Sequence, residues 1–207
     1  DDGTNYDGLG LEDGGTFDAA IRWDADDLSP YSGWFVEGFM FYPVKIVEES
    51  EFVFKIREGE NGSTLVYEQE VEVEAWNEWN TIMLNEPHLI NASVELWAGF
   101  EVTHVGGEKP MGIDAGPAVT GYGDMISFDG TTWETLTSYQ IDCNYNLSVL
   151  LSEGGKSSQT EMGQQKLSIG LQTPDQTLRD SLNYLGVNIY REGDLMNEEP
   201  VPPDETQ

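Results

Sequence analysis

The sequence predicts an all-β fold, a jelly-roll-like β-sandwich of two antiparallel sheets followed by a short C-terminal β-hairpin segment. Two observations carry this. About nine short runs alternate apolar and polar residues and are broken by turn signals roughly every 8–12 residues. No amphipathic helix exceeds two turns, the weak exception being Gln176 to Asn183. The organising stretch is Val94 to Leu136, an alternating strand, a long Gly-, Pro- and Asp-rich loop, and a hairpin at Asp129-Gly130. A rigid sheet displaying a long irregular loop is a common way for an all-β protein to carry a binding function.

The elements follow in order. Residues 1–16 hold five Gly and four Asp without periodicity and read as loop. Phe17, Ala19, Ile21 and Trp23 share one strand face, with Asp18 and Arg22 on the other. Trp34 to Tyr42 is a nearly continuous apolar run, as expected of a central strand covered on both faces. Glu51 to Glu58 points Phe52, Phe54 and Ile56 inward. GENGS at 59–63 turns the chain into the strand Thr64 to Glu74, whose Glu70, Glu72 and Glu74 line one solvated face. Trp79 to Leu84 begins another strand, with Pro87 and His88 in a connection. Val94, Leu96, Ala98, Phe100 and Val102 face inward, which turns Trp97 outward, either as a stacking platform or beneath a covering loop. Residues 105–123 contain six Gly and two Pro around Asp114, with Tyr122 near their end. Tyr145, Leu147, Val149 and Leu151 mark the closing strand.

These elements divide the chain into a sandwich domain at 1–152, a linker at 153–165, and strand-like pieces with an acidic tail at 166–207. In the last part Lys166 to Leu171 and Leu185 to Arg191 read as strands, with a turn at Glu192-Gly193.

Composition limits function. The 207 residues carry 39 acidic and 9 basic side chains, a net charge of −30. That charge repels phosphate backbones and anionic lipids, so a nucleic-acid partner is not expected. No run of 18 apolar residues exists, so membrane insertion is not expected either. Carboxylates suit a cationic partner or Ca²⁺, and Asp1, Asp2, Asp7 and Asp114 are candidate ligands of a structural Ca²⁺ that would fix loops 1–16 and 105–123. The single cysteine, Cys143, lies in a strand-like run and reads as a buried thiol. The chain opens on Asp1-Asp2, so an export signal is expected to have been removed or never to have been present. Asn61, Asn91 and Asn146 head N-x-S/T triplets.

Catalytic constellations are not apparent. His88 and His104 lie near no G-x-S-x-G element. EVEVE at 70–74 lacks the aspartate and flanking pattern of a glucanase strand motif. The candidate ligand-binding residues are Trp97, Asp114, Tyr122 and Trp133, the aromatic three as sugar-stacking platforms.

Several stretches also carry a resemblance. DDGTxxxxLGLxxGGTFxAAIRWxxxDL at 1–28, TLVYEQEVEVEAWNEW, LWAGFEVTHVGG, DAGPAV, GYGDMISFDGTTWETL and YNLSVLLSE resemble a module of Bacteroidetes surface proteins. It occurs in secreted peptidases and adhesin-like proteins, often beside fibronectin type III domains, and it covers roughly 1–152. The resemblance implies a jelly-roll sandwich akin to the adhesin domains of gingipain-like proteases, without catalytic residues and often with structural Ca²⁺. YLGVNIYREGDLMNEEPV at 184–201 resembles the middle of a fibronectin type III domain. The expected function is a non-catalytic extracellular adhesion or binding module on the outer cell surface or secreted. Its partner would be a host or cell-surface protein or glycan. A carbohydrate-binding module is the alternative, and a sandwich glycoside hydrolase the more distant one.

Overall fold

The computed structural model describes residues 3–153 and two short strand pieces, 190–191 and 194–195. Contacts divide the chain into two units, Asp1–Lys156 and Ser157–Gln207.

In the first unit the strands are β1 (Asp7–Leu9), β2 (Gly14–Trp23), β3 (Trp34–Phe41), β4 (Glu51–Glu58), β5 (Thr64–Val71) and β6 (Asn80–Leu89). They continue as β7 (Leu96–Val105), β8 (Met111–Ile113), β9 (Met125–Ser127), β10 (Trp133–Thr135) and β11 (Leu147–Glu153). A single helical turn, α1 (Ala25–Leu28), follows β2. One sheet has the order β10-β9-β2-β7-β4-β5 and faces a second of order β11-β3-β6. Every pairing is antiparallel. The chain changes sheet at β2→β3, β3→β4, β5→β6 and β6→β7, the weaving that a jelly-roll-like sandwich uses to bury both inner faces. In the second unit β12 (Tyr190–Arg191) pairs antiparallel with β13 (Asp194–Leu195), while the expected Glu192-Gly193 turn lies outside the described residues. The Lys166–Leu171 strand, the helical run at 176–183 and nearly all of the linker lie outside the described residues.

Period-two alternation decides the core. Phe52, Phe54 and Ile56 of β4 and Leu96, Ala98, Phe100 and Val102 of β7 are all buried on the inner face. They meet Phe39 and Phe41 of β3 across the sandwich. Phe39 stacks on Phe54 with centroids 4.0 Å apart, and Phe100 meets Phe39, Phe41, Phe52 and Phe54 at 4.7–5.6 Å. Offset and edge-on aromatic contacts of this kind add about 0.5–1.5 kcal/mol each beyond the area they bury.

Two expectations change here. Pro87 and His88 belong to β6, not to a connection. The register of β3 against β6 jumps between Val36↔His88 and Gly38↔Met83, so residues 84–87 form a bulge. A bulge on an edge strand tolerates the missing proline N–H. The bulge is tied to the other sheet: Asn85 N–H donates to Gln69 Oε1 (2.9 Å) and Tyr67 Oη (3.0 Å), and Gln69 Nε2 donates to Met83 O (3.3 Å). The Asp129-Gly130 hairpin likewise spans residues 128–132, because Trp133 pairs with Ser127. Asp129 Oδ1 closes that loop by accepting N–H bonds from Thr131 and Thr132, which hold its carboxyl well below the usual carboxylate range.

Candidate binding surface

The outer face of the six-stranded sheet gathers three of the four predicted ligand-binding residues. Arg22 of β2 lies opposite Trp97 of β7 in the antiparallel register. Its guanidinium sits 5.5 Å from the Trp97 ring and 4.8 Å from the Tyr122 ring, a cation held between two π faces. Arg22 Nε donates to Gly121 O, and its charge meets Glu95 at 3.3 Å and Asp24 at 3.5 Å. Tyr122 donates its hydroxyl proton to Asp24 Oδ2 at 2.5 Å, and that bond, then burial, pushes the phenol up to about 12.

Trp97 does not face solvent. It is 1 % exposed, corrected from the platform reading, because cover arrives from distant parts of the chain. Trp133 packs on it with centroids 5.0 Å apart, and Gly62 of the β4–β5 loop lies so close that a Cβ there would stand 3.2 Å from the ring. Ala20 and Met125 complete a small cluster beneath. Trp97 Nε1 donates to Glu95 Oε2 at 2.9 Å, so neither ring face nor polar edge is open to a ligand. Trp133 and Tyr122 are half-buried.

Asp114 is also internal. Its Oδ1 accepts N–H bonds from Gly116 (2.9 Å) and Asn144 (2.7 Å), and its Oδ2 accepts from Asn144 Nδ2 (2.9 Å). Asn144 then reaches back, donating to Pro117 O (3.0 Å) and accepting from Val119 N (2.7 Å). Asp142 Oδ1 takes Ala118 N at 2.7 Å, and Tyr145 N donates to Gly123 O at 3.0 Å. Arg22 N donates to Tyr122 O at 2.9 Å, which joins the same segment to β2. Residues 114–124 therefore form a side wall closing the sandwich between β2 and the approach to β11. They are not a free loop. Asp124, fully buried, seals the wall by accepting from Gly121 N and from both N and Oγ1 of Thr137.

The described members of the predicted metal set do not fit Ca²⁺. β1 pairs with β8, which brings Asp7 beside Ile113 and the two expected loops together. Asp7, however, bonds to Lys109 Nζ at 3.0 Å and to Gly8 N at 2.8 Å, while both oxygens of Asp114 face N–H donors. Among the described residues no three His, Cys, Asp or Glu side chains converge as a metal site. Asp1 and Asp2 lie outside the described residues.

Sequence reading missed Glu108. This buried side chain clamps the loop after β3, its carboxylate accepting N–H bonds from Ile46 (2.7 Å), Val47 (2.8 Å) and Glu48 (2.9 Å). Burial alone would raise its pKa, but the three backbone donors outweigh it and the carboxyl is held below its ordinary value. GGEKP carries no local signal for such a clamp. His104 is structural: Nε2 accepts from Leu11 N at 3.0 Å, leaving Nδ1 to donate to Val105 O at 2.9 Å. His88 meets Glu58 at 3.0 Å. Of the three N-x-S/T asparagines, Asn146 is fully buried, and Asn61 and Asn91 are exposed.

The open features lie at the ends of the sandwich and along its edge. Ile46 and Val47 project from the clamped loop, and Phe128 meets Tyr139 edge-on at 6.2 Å with both rings about half exposed. A shallow cleft of about 550 Å³ separates the β2–β3 connection (Ser29, Ser32, Gly33) from the last residue of β6, Leu89, and the β6–β7 connection (residues 90–93). No protein-family model, curated protein or solved structure matches the chain. Among the described residues no helix is long and apolar enough to cross a membrane.

Proposed function

We propose that the chain is a non-catalytic adhesion or binding module of a bacterial surface or secreted protein, engaging a host or cell-surface protein or glycan outside the cell. One observation carries this reading. The buried carboxylates of the connections act as backbone clamps: Glu108 on 46–48, Asp114 on 116 and 144, and Asp124 on 121 and 137. Carboxylates saturated by N–H donors are poor general acids or bases, yet they hold connecting segments in one conformation. Preordered segments lose less entropy on binding, so the clamps favour recognition over chemistry. Glu70 near the end of β5 and Glu72 and Glu74 beyond it, where the expected strand to Glu74 has already ended, are all exposed to solvent.

Arrays of extracellular proteins and glycans probed with the 207-residue chain, alongside a β-glucan hydrolysis assay, test the proposal. Saturable binding without turnover is the expected result. Release of reducing sugar that disappears in Glu72→Gln would overturn it in favour of a hydrolase.

A further inference from the structure

We infer that the cleft between the β2–β3 and β6–β7 connections is a subsite for an uncharged glycan, an inference that rests on the binding-module reading and names its ligand class. The chain carries 39 acidic side chains among 207 residues, yet no lining residue of this cleft is charged. The lining offers the hydroxyls of Ser29, Ser32 and Ser93 and the amide of Asn91, groups that both donate and accept. Such a set matches the paired donor and acceptor character of sugar hydroxyls. It gives an anion no cation and a cation no carboxylate.

Position and rigidity agree with this. Asn91 is fixed before any ligand arrives, its Oδ1 accepting from Ser93 N at 3.3 Å and its Nδ2 directed to Glu58 Oε2 at 3.4 Å. The two walls are joined, because Ile90 N donates to Trp34 O at 2.9 Å. Leu89, about half exposed in the lining, supplies an apolar patch for the C–H face of a pyranose ring. The volume lies within the range of about 300–1,000 Å³ usual for small-ligand sites. A neutral ligand also escapes the repulsion that a net charge of −30 imposes on anions, so affinity should not change with ionic strength.

The test is an NMR titration of the full chain with neutral oligosaccharides and with their sulfated counterparts. Shifts confined to the amides of 29–33 and 89–93, with sulfated sugars at least about tenfold weaker, are expected. Ser32→Trp, at an exposed position, should fill the cleft and weaken binding by about tenfold or more. Leu89→Glu is the second variant, placing a carboxylate where none exists. If Ser32→Trp and Leu89→Glu keep the native Tm and bind as the parent does, the cleft is not the site, although the module reading stands. If no neutral sugar moves any amide, the glycan inference falls, and the protein array alone then decides the broader reading.

Discussion

Asp114 and Asn144 hold each other at both ends of the asparagine, the carboxylate taking the Asn144 backbone N–H at 2.7 Å through Oδ1 and the side-chain Nδ2 at 2.9 Å through Oδ2. Through this pair residues 114–124 become a wall of the sandwich. Asp114→Ala would leave the Asn144 donors buried and unanswered, at a cost of about 2–4 kcal/mol. Urea unfolding should show the midpoint falling at constant m. A double-mutant cycle with Asn144→Ala should give a coupling of about 1–3 kcal/mol. Additive losses would mean that the two residues act separately.

Glu108 links loop order to acid stability. Its folded pKa lies below the ordinary value of 4.5, so its contribution is complete above that pH and is lost as pH falls through the lower folded value. At neutral pH Glu108→Gln should cost about 1–3 kcal/mol, since one backbone donor set loses its charged acceptor. On acidification the parent and variant curves should converge. A gap that stays constant down to pH 3 would contradict the clamp.

Trp97→Ala should destabilise by about 3–5 kcal/mol, the usual result of emptying a large buried aromatic site. Trp133 would lose its packing partner at the same time, so its fluorescence should shift red. Unaltered stability together with lost ligand binding would restore the platform reading.

Burial first, then the negative fields of Asp114, Asp124 and Asp142, pushes the Cys143 thiol up to about 12. Its thiolate population at pH 8 is therefore negligible. A disulfide reagent should leave the folded chain unlabelled and react with one equivalent in denaturant. Rapid labelling of the native protein would show that the wall opens.

Ca²⁺ provides a fifth test. A ligand bound only by the native state raises Tm by mass action. Millimolar Ca²⁺ should therefore leave Tm unchanged against a chelator control, given the committed oxygens of Asp7 and Asp114. A clear rise would direct attention to donors beyond these two.

The alternation of β4 and β7 was legible because period two is a local property, and it placed Phe52, Phe54, Ile56 and Phe100 correctly. Alternation states which side of a strand a residue occupies, without saying whether that side is covered. Trp97 was therefore assigned to the outer face, while its burial depends on Trp133 of β10 and Gly62 of the β4–β5 loop, which arrive from elsewhere in the chain. Pro87 misled because proline ends central strands, and only pairing shows that β6 is an edge with a bulge.

By itself the sequence determined the fold class, the inner faces of β4 and β7 and the acidic, cation-poor composition, since each follows from local periodicity or from counting charge. Tertiary structure alone decided that the Asp114 segment is a wall rather than a displayed loop, that Glu108 and Asp124 clamp backbone, and where an uncharged cleft opens. Those outcomes depend on hydrogen bonds between residues far apart in the chain. A carboxylate's partner across such a distance is written in the packing of the sheets, and no neighbouring residue announces it.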